Sequence, residues 1–270
     1  MKNLKGIVFF DVDGTLIDCG KGLYKPSNKT KEAIKKLKEN RYLTILATGR
    51  PMSFVDDGLK ELELDGYIAS NGTYIELNNE VILNDDIKLE KLKEIMDYCV
   101  EHNIDFILEG QKTSYVLNND VAKKMVENFS LPEESFTGEW TEEELSANKL
   151  VIVDNNKDDF KDIFERFKDE FVFMQHPGHS SYDMYRRGCT KAHGIEHLIN
   201  ELGLSDKDTY AFGDGENDIE MFQRVKYGIA MGDAHETLIP HAYKQTENVP
   251  NEGIYKALLE LGLSLIHISE

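Results

Sequence analysis

Apolar runs rich in β-branched and aromatic residues alternate with amphipathic runs through the first third of the chain. "GIVFF" at 6–10 and "YLTILAT" at 42–48 read as buried strands. Between them, "KTKEAIKKLKEN" carries Ala33, Ile34 and Leu37 at helical spacing. "SFVDDGLKELEL" at 53–64 and "GYIAS" at 66–70 continue the alternation. This is the rhythm of βαβ units, which build a parallel sheet whose functional residues gather at the carboxyl ends of its strands. Asp11 and Thr48 both fall at such ends.

From about Asn84 to Asp183 the pattern changes. "KLEKLKEIMDYCVE", "DVAKKMVENF" and "DDFKDIFERF" read as helices, and "IDFILEG", "TSYVLNN", "NKLVIVD" and "FVFMQ" as strands. Two strands joined only by "QK" predict an antiparallel pair, so this segment reads as an α+β module set into the parallel domain. After Lys191 the earlier rhythm returns with "HGIEHLINELG", "TYAFGDG", "ENDIEMFQRV", "YGIAM" and "EGIYKALLELG". Gly203 and Gly262 stand where helices would end. The expected organisation is a discontinuous core, 1–83 with 184–262, and an inserted domain at 84–183. The last eight residues, "LSLIHISE" at 263–270, read as a non-native tail.

Composition narrows the partners. A length of 270 residues is ample for a large core. A formal net charge of -19 makes the surface repel nucleic acid and anionic membranes, so an anionic ligand needs a locally positive pocket. No apolar run is long enough to span a bilayer and no cleavable leader is evident, which points to the cytoplasm. Cys19, Cys99 and Cys189 are scattered and odd in number, which suits reduced thiols. Oligomeric state is not legible.

Four stretches carry candidate chemistry. In "FFDVDGTL" an apolar strand runs into Asp11 and Asp13, two residues apart and so expected on one side of an extended chain, followed by Gly14 and Thr15. A calcium-binding EF-hand loop is excluded, because loop positions 6 and 12 counted from Asp11 are Leu16 and Gly22. "AFGDGENDIEMF" at 211–222 repeats the pattern. It is not a dinucleotide fingerprint, since Asp218 stands at the third glycine position. Asp214 and Asp218 read either as a turn and helix cap or as oxygen donors for a hard cation. In "LATGRP", Thr48 either caps a helix after Pro51 or holds a phosphate oxygen with nearby N–H groups. Lys191 precedes a helix, where a cation opposes the helix dipole, and taken alone it reads as a surface lysine.

In this order, "DVDGTL", "ATGR", a lysine before a helix and "GDGENDIEM" resemble the four motifs of the haloacid dehalogenase (HAD) superfamily, and the resemblance extends through Gly262. The insert and the "SNGT" at 70–73 resemble the Cof-type, or IIB, branch. The resemblance implies an α/β fold with a three-layer Rossmann-like core and an α+β cap of the C2B type. It implies a phosphoric monoester hydrolase using Mg²⁺ on a small phosphorylated metabolite. A phosphomutase on the same fold and a non-catalytic phospho-ligand binder are the alternatives. By the same resemblance Asp11 would be the nucleophile and Asp13 the general acid and base. The metal would be held by Asp11, Asp13 through its carbonyl, Asp214 and Asp218. Val12, Thr48, Gly49, Lys191 and Asn217 would hold phosphate oxygens, with Arg50 and Asn71 in substrate contact or support. In "QHPGHSSYDMY", His176, His179 and Tyr182 are candidates for leaving-group specificity.

Overall fold

The computed structural model describes residues 4–129, 131–153, 157–176, 178–204 and 207–264. These fall into two compact units. One is formed by the chain up to Gly49, by Asp57–Leu83 and by the chain from Thr190 onward. The other is formed by Arg50–Asp56 and Asn84–Cys189. Arg50–Asp56 and 184–189, expected in the core, thus belong to the second unit.

The first unit begins with β1 (Gly6–Phe10), buried along its whole length, as a strand covered on both faces must be. Helix α1 (Asn28–Glu39) starts at Ser27, whose hydroxyl accepts the Thr30 N–H at 3.1 Å, and buries Thr30, Ala33, Ile34 and Leu37. Next come β2 (Tyr42–Ala47), a short α2 (Asp57–Lys60) and β3 (Gly66–Ala69). The helical reading of 53–64 thus shrinks to one turn, with a 3-10 turn at Met52–Phe54 preceding it. A hairpin absent from the sequence reading follows, β4 (Tyr74–Leu77) and β5 (Glu80–Asn84).

The second unit holds α3 (Leu89–Glu101), β6 (Asp105–Glu109), β7 (Ser114–Val116), α4 (Asn119–Phe129), β8 (Phe136–Thr137), β9 (Lys149–Val153), α5 (Lys157–Phe167), β10 (Phe171–Gln175) and β11 (Ser181–Arg186). Its sheet runs β10-β11-β9-β6-β7-β8, antiparallel except for the β7–β8 pair. Leu92, Ile95, Ile163 and Phe167 from α3 and α5 pack on Phe106, Leu108, Leu150 and Ile152. Val121 and Met125 of α4 pack on Ile107 and Val151, the alternate residues of the same strands.

The chain then returns to the first unit with α6 (Lys191–Leu202), β12 (Asp208–Gly213), α7 (Ile219–Arg224), β13 (Tyr227–Ala230), β14 (Lys244–Gln245) and α8 (Gly253–Glu260). Gly203, in the left-handed region at φ +61°, ends α6 as expected. The sheet order is β14-β13-β12-β1-β2-β3-β4-β5. The strands from β14 to β3 are all parallel, and β4 joins antiparallel. Ile195, Leu198, Met221 and Phe222 of α6 and α7 cover Ile7, Phe9 and Ile45. Helices α1 and α8 pack together, with α1 against β2. Of the expected tail, Leu263 and Ser264 are buried, and the Leu263 carbonyl accepts the Asn40 amide at 2.8 Å. Residues 265–270 lie outside the described residues. No helix among the described residues is long and apolar enough to cross a membrane.

The second unit also buries charge. Lys149 lies 3.1 Å from Glu109 and 2.8 Å from Asp183, and His176 Nε2 lies 3.1 Å from Asp183 Oδ1. Burial pushes Glu109 up from its ordinary 4.5 to about 7, against the pull of Lys149 and with the push of Asp183. Asp183, despite its burial, is held at about 2 by Lys149 and His176. Between pH 4.5 and 7 the folded chain therefore keeps a proton on Glu109 that the unfolded chain loses, and its contribution to stability declines as pH rises through that window. Thermal melts from pH 4.5 to 7 should show wild type losing up to about 3 kcal/mol relative to Glu109→Gln. Parallel pH dependences of the two proteins would refute the assignment.

Candidate active site

The candidate site draws on the loops after the parallel strands β1, β2, β3 and β12 and on the start of α6. β1 continues for one residue beyond Phe10: the Asp11 N–H donates to the Phe212 carbonyl at 3.0 Å, and Asp11 is 6% exposed. The chain then folds over itself, with the Val12 carbonyl accepting from Leu16 N at 2.9 Å and Ile17 N at 3.1 Å. This turn ends the strand alternation, so the two aspartates are not equivalent: Asp11 is buried and Asp13 is exposed. Thr15 donates its hydroxyl to Asp214 Oδ1 at 3.0 Å, tying the first loop to the loop after β12.

Lys191 opens α6, where the helix dipole disfavours a cation. It is nevertheless 1% exposed, and its ammonium donates to Asp11 Oδ1 at 2.6 Å and Asp218 Oδ1 at 2.7 Å. The reading of Lys191 as a surface residue is overturned, because its partners are carboxylates brought from two other loops. Asp218 is fully buried, and its other oxygen accepts the N–H groups of Asp214 at 2.9 Å and Gly215 at 3.1 Å. It is therefore both the partner of Lys191 and the anchor of the loop that presents Asp214. Asn217, half-buried, lies in the same loop, with its side chain over Gly215.

The electrostatics are unbalanced. Carboxylate oxygens of Asp11, Asp214 and Asp218 lie within 4.8 Å of one another around one ammonium. Burial pushes Asp11 well above the ordinary carboxylate range, opposed by Lys191 and reinforced by Asp218 and Asp214. Burial and Asp218 raise Asp214 to about 7. Burial works against the Lys191 ammonium, yet Asp11 and Asp218 hold its pKa above the ordinary value. An all-oxygen donor set with excess negative charge fits a hard divalent cation such as Mg²⁺.

Thr48 ends β2 with its N–H on the Ile68 carbonyl at 2.9 Å. It caps no helix, since the turn that follows starts at Pro51. Gly49 adjoins Thr48, and Asn71, on the loop after β3, donates its N–H to the Thr48 carbonyl at 3.2 Å. Arg50 belongs to the second unit, where it donates to the Phe54 carbonyl at 3.2 Å. His176, His179 and Tyr182 do not form one constellation. Tyr182 stacks on Phe160 with ring centroids 3.7 Å apart, whereas His176 bonds Ser181 and Asp183, and adjacent residues of β11 face opposite sides of the sheet. His179 makes a backbone turn, its N–H on the His176 carbonyl. Pro177, within the same stretch, lies outside the described residues.

The family model for haloacid dehalogenase-like hydrolases matches residues 8–258. The chain belongs to that family. This HAD hydrolase is 28% identical over 261 residues to a Bacillus subtilis protein named "Putative phosphatase YkrA", covering 95% of this chain and 98% of that one. A solved Geobacillus kaustophilus structure superposes with a TM-score of 0.85 at 29% identity, covering 96% and 99% of the two chains. The HAD subclass IIB sugar phosphatase BT4131 superposes with a TM-score of 0.78 at 26% identity, covering 96% and 99%. The superfamily expected from the four motifs is thus the one found.

Gly14 tests the packing of the HAD site. Its φ is +75°, and a Cβ there would stand 2.1 Å from Asp214 Oδ2, whereas one on Gly22, at φ +73°, meets nothing within 4 Å. Both substitutions by alanine strain the backbone, but only Gly14→Ala must also displace the half-buried Asp214 carboxylate. Urea denaturation should give about 1 kcal/mol for Gly22→Ala and about 2–3 kcal/mol more for Gly14→Ala. Equal costs would mean that Asp214 is not packed on Gly14.

Proposed function

We propose that the protein is a Mg²⁺-dependent cytoplasmic phosphatase that hydrolyses a small phosphomonoester, a sugar phosphate or phosphorylated cofactor, through an aspartyl-phosphate on Asp11. The observation that carries this reading is the Lys191 ammonium buried between Asp11 and Asp218 beside Asp214. Three closely spaced carboxylates exceed what the single ammonium pairs with, and that surplus of buried negative charge is costly unless a further cation joins it. Two relatives are named for phosphorylated small molecules or sugars: BT4131, and an Escherichia coli protein 22% identical over 273 residues, named 5-amino-6-(5-phospho-D-ribitylamino)uracil phosphatase YbjI.

In this mechanism an Asp11 carboxylate oxygen attacks phosphorus and the ester P–O bond breaks. Asp13, exposed and therefore able to reach solvent and substrate, protonates the departing alkoxide. Asp13 then takes a proton from water, whose oxygen attacks the phosphoenzyme, releasing inorganic phosphate and restoring Asp11. Lys191, the Thr48 hydroxyl and the N–H groups of Val12, Gly49 and Asn217 hold the phosphoryl oxygens as charge builds on them. Mg²⁺, held by Asp11, Asp214 and the Asp13 carbonyl with Asp218 in support, would offset the repulsion between carboxylate and phosphate. Asp218 acts mainly through Lys191 and the Asp214 loop, because its oxygens already serve three donors.

The test is release of inorganic phosphate from p-nitrophenyl phosphate with and without Mg²⁺. Asp11→Asn should lose turnover by on the order of a thousandfold or more, because an amide cannot serve as the nucleophile. Lys191→Ala should lose about 3 kcal/mol of transition-state stabilisation, roughly a hundredfold in kcat/KM. Absence of Mg²⁺-dependent turnover, or full activity in Asp11→Asn, would overturn the mechanism.

A further inference from the structure

Three consecutive residues after β3 have left-handed backbones: Ser70 at φ +47°, Asn71 at +54° and Gly72 at +86°. Only glycine adopts that region without cost, so two side-chain-bearing residues there in succession mark a segment held by its surroundings. The turn is buried rather than a surface reversal, with Ser70 at 0% and Asn71 at 7% exposure. Thr73 closes it, its hydroxyl donating to the Ser70 carbonyl at 2.8 Å.

Each end of the turn touches a different part of the site. On one side Asn71 donates its N–H to the Thr48 carbonyl at 3.2 Å, and its side-chain Oδ1 lies where a Cβ on Gly49 would approach to 3.0 Å. On the other, a Cβ on Gly72 would come within 2.3 Å of the Thr190 carbonyl and 2.8 Å of Gly194 N. Thr190 caps α6 and immediately precedes Lys191. The Gly72 end leaves no room for a side chain, and at the Gly49 end the Asn71 amide would have to give by a few tenths of an ångström.

We propose that the Ser70–Gly72 turn is a spacer that sets the phosphate-holding Thr48–Gly49 backbone against the Lys191 end of α6, with Asn71 as the positioning residue for Gly49. The inference rests on the function proposed above, in which those groups grip one phosphoryl group from two sides. Misplacing either by a fraction of an ångström weakens the transition state more than the ground state. Asn71 bonds the Thr48 carbonyl, its side-chain oxygen faces Gly49, and it acts through that segment.

A double-mutant cycle on Gly49→Ala and Asn71→Gly tests this, because glycine keeps the left-handed backbone at 71 while removing the side chain. The readouts are kcat and KM for p-nitrophenyl phosphate, competitive inhibition by inorganic phosphate, and the melting temperature. Each single variant should lose about tenfold or more in kcat with a smaller change in KM. In the Asn71→Gly background, Gly49→Ala should cost less than about threefold, since the atom it would strike is gone. Multiplicative losses, or wild-type kinetics in Asn71→Gly, would overturn the proposal. If Asn71→Gly does not fold, Asn71→Asp replaces it: an oxygen stays over Gly49, so Gly49→Ala must cost as much as in wild type, and a smaller cost overturns the proposal. A wild-type protein that turns over no phosphomonoester would sink the phosphatase reading. The same cycle read in melting temperature would still show whether Asn71 and Gly49 are coupled.

Discussion

One ammonium group organises the first unit. Lys191 can be buried only because Asp11 and Asp218 meet it within 2.7 Å, and those acids can be buried together only because Lys191 stands between them. The three residues arrive on loops following different elements, so their mutual dependence fixes β1, β12 and α6 relative to one another. Asp218 extends the arrangement by accepting two backbone N–H groups, which shapes the loop that carries Asp214. Strand pairing supplies the frame, for Asp11 is placed by its bond to the Phe212 carbonyl on the neighbouring strand.

The balance is deliberately incomplete in physical terms. Three carboxylates against one ammonium leave Asp11 and Asp214 with raised pKa values, so the cluster without a further cation is a liability to the fold. The second unit buries charge as well. There Lys149 serves Glu109 and Asp183, His176 adds a bond to Asp183, and burial raises Glu109 to about 7. Burial alone therefore does not single out a functional site. What singles out the first cluster is charge in excess of its internal partners together with closely spaced oxygen donors.

Much of this was legible from residue order. The parallel strands reveal themselves as continuous apolar runs, because a strand covered on both faces has no polar side to show. Asp11, Asp214 and Asp218 stand out because carboxylates end such runs. Lys191 was legible only through its resemblance to a family motif, since a lysine at a helix start carries no local sign that acids from residues 11 and 218 will meet it. The β4–β5 hairpin is not legible because its two-residue turn, Asn78–Asn79, reaches the left-handed region without a glycine, and β5 is largely exposed at the sheet edge. Asp13 differs from Asp11 in burial because the backbone bonds to Val12 end the strand after Asp11. His176 and Tyr182 part for the opposite reason: the alternation persists along β11, and His176 bonds Ser181 and Asp183 while Tyr182 between them stacks on Phe160.

The acidity of the chain sharpens what the site must accomplish. A protein with a net charge of -19 repels a phosphate monoester at long range, so attraction has to be generated locally and shielded from that field. A surface lysine could not do this, because solvent and neighbouring acids would screen it. Burial removes the screening, and burial is possible only with partner carboxylates close at hand. In the proposed mechanism the acids that hold Lys191 in place are thus the condition for an anion-binding cation in an acidic protein, not a contradiction of it. The strand ends and the buried turn proposed to set them meet the same requirement: a short-range attraction is useful only where the backbone that presents it cannot move.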